Sequence, residues 1–594
     1  MKKIIYGLAL AAVTLASCSD FLDKEPSNKL DAGKFFANES ELALYANGLY
    51  VDMIPSAEDL TNSGSGTCDY LATSTTSSLL MPDFNADKMS GWTYSAWTNL
   101  YRCNYFLKNI DKAAATTDVA TLNHYRGVAK FWRAYFYFDK VKTYGNLPWY
   151  SEPIDAGDSI QLYKERDSRE VIMDSVLQDI NYACKYIRGG KDELVSRYAA
   201  LALKSRICLF EGTYRKYHAV NPSTNQPWQE TDGARKYLQA CVDASEELMN
   251  SGEYSLVNTG KPATDYRSLF QSEKPNTTEI IMAREYSADL QSTHNVTQKF
   301  NSAGNDTRRW SPTQDFVNTY LNLDGSRFTD ATDYDKKTFA ENCTNRDYRL
   351  QQSVITPTYI KNMNGTPSRY NATWSVTMTG YQVIKFNMDD TYYEQTSRCS
   401  NAIPIFRYAE ILLNEAEAKA ELGEMDENVW DKTIRPIRER AGVNGKAPAT
   451  ADPYLISYYN NKVTDKWLLE IRRERAIELF FEGGGLRYDD LMRWAEGDML
   501  MKPWNSIYIG SKDVAYDTNG DGVKDLEVVD KKPSSTPSGV FLVDLSKSNY
   551  YTFKDGRLYI TNENSWTDRK YLHPIPKAAF VKNPNLKQNY GWEQ

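Results

Sequence analysis

Between Arg169 and Gly189 the apolar residues Ile172, Val176, Ile180, Ala183 and Ile187 recur at steps of three and four. They form one stripe of an α-helix that ends at a Gly-Gly stop. This period constrains the fold most, because it returns along the chain. Ser196 can cap a second helix that runs through Ala199, Ala202, Leu203 and Leu209 to about Phe210, with small residues that let a neighbour approach closely. A third stripe holds Ala234, Leu238, Cys241, Ser245 and Leu248 before Gly252, and a fourth helix runs from about Phe406 to Leu422 before Gly423. Paired short helices with alanine-rich contact faces read as hairpins stacked in the tetratricopeptide manner, although no clean repeat of fixed length emerges. Between Lys261 and Tyr393 the pattern changes to short strands and polar loops. The expectation is a mainly α fold whose helical hairpins support a loop-rich face with a few short strands, and such loops are where binding resides.

The chain starts with Met1-Lys2-Lys3 and an apolar run from Ile4 to about Ala16, closed by Leu15-Ala16-Ser17-Cys18. That run is too short for a membrane span, which needs about 20 apolar residues, and it has the layout of an export signal. Small residues before a cysteine point to a lipoprotein leader over 1–17. Cleavage would leave Cys18 to carry diacylglycerol on its thiol and a further acyl chain, such as palmitate, on its amine. An ordinary signal peptide with an incidental cysteine is the alternative. Each buried methylene contributes about 0.8 kcal/mol, so several chains would hold the protein on a membrane. The whole chain has a mean hydropathy of -0.60 even with this apolar run included, so a body on a tether over 18–40 is expected. A formal charge of -8 argues against nucleic acid as a partner. Seven cysteines besides Cys18, without any C-x-x-C pair, argue against a disulfide framework or zinc knuckle and read as small buried hydrophobes.

Forty-two tyrosines and 13 tryptophans accompany only four histidines, so stacking surfaces are plentiful and general bases are few. Aromatic faces suit the axial C–H groups of sugar rings, although most of these residues must serve the core. Within Trp467–Trp494 an apolar stripe through Leu468, Ile471 and Leu479 also passes Arg475 and Glu482, so a charge pair there is expected to be partly buried. A hydrolase would draw its acid and base from Glu470, Glu474, Glu478 and Glu482. The interleaved Arg472, Arg473 and Arg475 lower carboxylate pKa values, the wrong direction for a general acid. Asp517, Asn519 and Asp521, followed by Gly522 and with Asp525 at the ninth position, resemble a calcium loop. Val528 occupies the position of the usual bidentate acid, leaving Glu527 or Asp530 to replace it. A bracing calcium ion and an Asx-rich turn therefore both stand as readings.

Several segments together resemble the SusD/RagB-type outer-membrane lipoproteins of the Bacteroidetes. They are Cys18–Pro26, Trp97–Asn104, Phe131–Pro148, Ile403–Gly423, Arg473–Trp494 and Tyr571–Trp592. The extra glycine in Glu482-Gly483-Gly484-Gly485 departs from the pattern only locally. The resemblance implies a SusD-like fold with a helical region over 41–260 and a loop-bearing region over 261–594. It implies no catalysis and no required cofactor. It also implies a lipid-anchored, surface-exposed lid on a SusC-like TonB-dependent transporter, binding a glycan or, in the RagB manner, an oligopeptide. Carried over by position, the ligand residues would be Trp92, Tyr94, Tyr286, Arg308, Arg309 and Trp310. Trp97, Tyr101, Trp132 and Tyr135 would pack helices.

Overall fold

The computed structural model describes residues 35–593 apart from 62–67, 76, 156, 192, 302–308, 536, 549 and 562. The leader and Cys18 lie outside the described residues. Ten helices of eight or more residues carry the fold among those described: α1 Glu39–Met53, α2 Thr98–Asn109, α3 Val119–Tyr144, α4 Arg169–Tyr186, α5 Arg197–Tyr217, α6 Gly233–Asn250, α7 Tyr408–Leu422, α8 Glu427–Arg440, α9 Lys466–Glu478 and α10 Leu486–Arg493. Packing follows chain order. α2 lies on α3, α3 on α4, α4 on α5, α5 on α6, α6 on α7, and α7 on α8 and α9. No described helix is long and apolar enough to cross a membrane.

Local chemistry sets the helix ends. Asp118, Ser168, Ser196 and Asp426 each accept a backbone N–H three residues on, which satisfies donors that the first turn leaves unpaired. Gly423 ends α7 in the left-handed region. The contact of α5 with α6 needs a glycine: a Cβ on Gly212 would lie 2.8 Å from Leu238 Cγ and 2.9 Å from Leu238 N.

Two helices differ from their predicted bounds. α5 continues seven residues past Phe210 because Glu211 is buried between Arg169 and Arg215, accepting from Arg169 Nη2 at 2.7 Å and Arg215 Nε at 2.8 Å. A polar stretch that reads as an exit is therefore interior. The segment Trp467–Trp494 is two helices, broken where Gly483, Gly484 and Gly485 all take positive φ. A Cβ on Gly484 would meet Asp59 O at 2.8 Å, so the extra glycine admits a close backbone approach.

The strands are short. β1 Leu71–Ala72 pairs antiparallel with β3 Ser311–Pro312, and β2 Ile280–Arg284 with β6 Ile403–Arg407. β4 Ile360–Met363 and β5 Thr366–Arg369 make a hairpin. Near the C-terminus lie two three-stranded sheets. One joins β8 Ala515–Tyr516, β9 Leu526–Val529 and β10 Phe541–Asp544, and the other joins β7 Trp504–Asn505, β11 Tyr551–Lys554 and β12 Arg557–Ile560. The seven described cysteines are free, and all but Cys343 are buried.

Charge, not oil alone, joins the helical frame to the long insertion between α6 and α7. Glu478 on α9 accepts from Arg349 Nη1 at 3.0 Å, Arg407 Nη1 at 2.6 Å and Arg440 Nη2. Arg407 also binds Glu482 and Glu279, while Glu474 binds Arg349 and Arg438. All these groups are buried. Burial raises the Glu478 carboxyl, but Arg440, Arg407 and Arg349 outweigh it and hold it well below the usual range. Glu478 thus contributes stability that is present above the ordinary glutamate pKa and lost as pH falls through its native value. Glu478→Ala takes one carboxylate partner from each of three buried guanidinium groups and is expected to cost about 3–5 kcal/mol in denaturant titration. Glu478→Gln should in addition flatten the acid limb of stability against pH.

Candidate functional site

Trp92 and Tyr94 sit on a loop that the long helix α3 props from behind. The Trp92 ring meets Trp97 edge-on at 5.4 Å and Tyr144, at the end of α3, at 5.2 Å. Tyr144 Oη donates to Ser90 O at 3.3 Å, and Trp97 leans on Phe136 and Tyr150. This chain of rings fixes the loop without covering its tip. Trp92 is half-buried, whereas Tyr94 is 83% exposed at the start of a 3-10 turn. A rigid aromatic face open to solvent binds flat apolar surfaces with little rotamer entropy to lose.

Tyr286, Arg309 and Trp310 correct the sequence expectation. Tyr286 is 7% exposed, its hydroxyl accepts the Ala57 N–H at 2.7 Å, and its ring meets His294 at 4.7 Å. Trp310 is 6% exposed between Phe300 and Phe481, with Lys299 Nζ 4.3 Å from its ring centroid. Arg309 turns inward, and its Nη2 donates to the carbonyls of Trp374 and Thr377. The cause is the long-range pairing of β1 with β3, which draws the residues just before Ser311 into the core. A tryptophan after two arginines in a polar stretch carries no local sign of that pairing. Arg308 lies outside the described residues.

The glutamates of the hydrolase reading are core ions. Glu470, Glu474, Glu478 and Glu482 are all buried and bonded to arginine. The histidines are engaged with backbone or buried as neutral rings. His218 Nε2 meets Met492 O at 2.8 Å, His294 Nε2 meets Asn401 O at 3.0 Å, and His124 Nδ1 accepts from Arg188 N. Burial pushes His124, His218 and His573 down to about 4.

The loop at Asp517 is folded upon itself. Asp517 accepts from the N–H groups of Gly520, Asp521 and Gly522; Asp521 accepts from Val523 N and Asn371 Nδ2; Asp525 accepts from Thr518 and from Asn519 Nδ2. Among the described residues no three or more His, Cys, Asp or Glu side chains gather as a metal site. Asn519 turns its amide donors, not its oxygen, toward Asp525. As folded, the donor set is a network of Asx turns.

Exposed rings that the sequence reading did not single out include Tyr163, Tyr392 and Tyr590. Tyr392 is 49% exposed, with the Arg398 guanidinium 5.0 Å from its centroid. Two adjacent tyrosines in a polar stretch, Tyr392-Tyr393, were the available signal.

Two family models cover most of the chain: the SusD family over residues 278–592, and one described as starch-binding associating with outer membrane over residues 38–218. A SusD-like protein of Formosa agariphila is 26% identical over 411 residues, covering 64% of this chain and 69% of that protein. A SusD-like protein from Bacteroides fragilis superposes with a TM-score of 0.66 at 21% identity, covering 95% of this chain and 98% of the other. A second structure from that organism, described as a SusD-like carbohydrate binding protein, superposes with a TM-score of 0.65 at 20% identity, covering 93% and 100%. At these identities the likeness shows the fold.

Burial divides the aromatic candidates into two classes that stability measurements will separate. Trp310→Ala is expected to cost about 3–5 kcal/mol as a core truncation. Tyr94→Ala should stay within about 0.5 kcal/mol of the parent. The melting temperature is expected to be the same with and without a calcium chelator; a fall of several degrees would restore the calcium reading.

Proposed function

Because the chain belongs to the SusD family, we propose that it is a non-catalytic glycan-binding lipoprotein of the outer membrane, acting as the lid of a SusC-like TonB-dependent transporter. Cys18 would carry the lipid anchor and set the body outside the cell. The observation that carries the glycan reading is the Tyr94 ring, 83% exposed yet standing on a buttressed loop beside Trp92. The backbone under the ring is held by the Trp92 and Trp97 contacts, so ordering the loop adds little to the cost of binding a sugar there. The family description as starch-binding and a relative described as carbohydrate binding support the same ligand class. The arginine-locked burial of the four glutamates supports capture without bond cleavage.

The test is calorimetry of the soluble form without Cys18 against a panel of neutral oligosaccharides and mixed oligopeptides, with a parallel assay for new reducing ends. Binding of an oligosaccharide without cleavage is expected. Trp92→Ala and Tyr94→Ala should each weaken it by about fivefold or more, the loss of an aromatic contact worth about 1 kcal/mol. Binding of peptides alone would replace the ligand class, and release of reducing ends would overturn the non-catalytic reading.

A further inference from the structure

Away from the Trp92 loop, the C-terminal tail closes a surface cavity of about 510 Å³, within the usual range of small-molecule sites. Its wall is built from five segments: the end of α5 with the loop that follows it, Lys462, the turn after α10, the stretch around Tyr571, and Tyr590. Hydrogen bonds hold each piece. Tyr217 Oη donates to Glu421 Oε1 at 2.8 Å, and the Tyr571 hydroxyl accepts the Gly497 N–H at 3.1 Å. Tyr571 also packs edge-on against His218 at 4.7 Å, and the Tyr590 N–H donates to Ser223 O at 3.0 Å. Tyr590 itself is 51% exposed, so one ring stands free beside a wall of two fixed ones.

The charges of the cavity cancel. Lys462 and Asp498 form a pair at 2.6 Å, and Asp568 and Arg569 add one acid and one base. A phosphate or an acidic sugar would meet as many carboxylates as cations there, and so would a cationic peptide. A neutral polyhydroxyl ring suits the set: its hydroxyls can both donate to carboxylates and accept from a guanidinium or ammonium, while its C–H face lies on tyrosine. The site is also anchored to the first one. Ser223 Oγ accepts from Asn146 N at 3.2 Å, and Asn589 Nδ2 donates to the carbonyl of Tyr144, the residue that props Trp92.

We propose that this cavity is a second saccharide site, in which Tyr590 stacks on a small neutral sugar whose hydroxyls are held by Asp568 and Arg569. The inference rests on the glycan-binding reading above. Its test is saturation-transfer NMR of the chain lacking Cys18, with glucose, galactose, mannose, xylose, maltose, cellobiose and lactose as probes and glucuronic acid as the charged control. At least one neutral probe should give a signal that survives Tyr94→Ala combined with Trp92→Ala. That signal should fall about tenfold in Tyr590→Ala and return in Tyr590→Trp, with the melting temperature unchanged. A signal lost in the Trp92 and Tyr94 variant but untouched by Tyr590→Ala would overturn the second site and leave the glycan reading standing. Silence from every neutral probe, or preference for glucuronic acid, would overturn the proposal as well, and only universal silence would count against both readings.

Discussion

The ionic lattice centred on Glu478 is the constraint from which the rest of the architecture takes its arrangement. It ties α9 and α8 to Arg407, the last residue of β6, and to Arg349 within the insertion. Each ion is costly to desolvate, so its stability depends on the opposite charges packed around it. Lys385 shows the tension. Burial drives it down to about 7 although Glu482 pulls it upward, and its ammonium must also bond the carbonyls of Glu478 and Phe480. A buried network of this kind is directional where an apolar contact is not. It fixes how the strands and loops of the insertion are seated on the helices, because a small slip would break several charge-assisted bonds at once.

That seating decides what is left for function. Carboxylates that a hydrolase would need are consumed in the lattice, and tryptophan and tyrosine at Trp310 and Tyr286 are consumed in the core beside it. The rings that remain available stand on a different support, α3, whose terminal Tyr144 props Trp92 from one side and accepts from the C-terminal tail at its carbonyl. The scaffold therefore supplies rigidity from buried charge in one place and from stacked rings in another. Both leave binding to residues whose own backbone is fixed before a ligand arrives.

How much of this the sequence disclosed follows from the range of each interaction. Ile172, Val176 and Ile180 announce their helix because three- and four-residue spacing is local, and Ser196 announces its start for the same reason. Arg475 and Glu482 share a stripe with Ile471 and are interior as that predicts, but they do not form the expected pair with each other. Their partners could not be read: Asp490 and Glu417 for Arg475, and Arg407 and Lys385 for Glu482, lie far off or on other elements. The same blindness explains Glu211, whose burial depends on Arg169 some forty residues earlier. It also explains Trp310, whose burial depends on a two-residue strand at Leu71. Family resemblance carried Trp92 and Tyr94 to an exposed loop, although its support from Phe136 and Tyr144 on α3 is itself long-range and was not legible. It failed at Tyr286 and Trp310 because positional likeness does not transmit the depth of a side chain.

Affinity must also be considered from the side of release. A protein that hands its ligand onward cannot hold it by a deep network such as the one around Glu478, where breaking any single contact costs several kcal/mol. Stacked rings at the surface behave differently. Each contributes roughly a kcal/mol, each can be given up independently, and neither requires a proton or a conformational change to let go. Two such faces braced through Tyr144 would bind an extended chain more tightly than either alone when both are engaged, and would revert to weak binding once one is displaced. Strong coupled contacts lie in the interior of this chain and exposed rings at its surface, a separation that would suit the capture-and-release role proposed above.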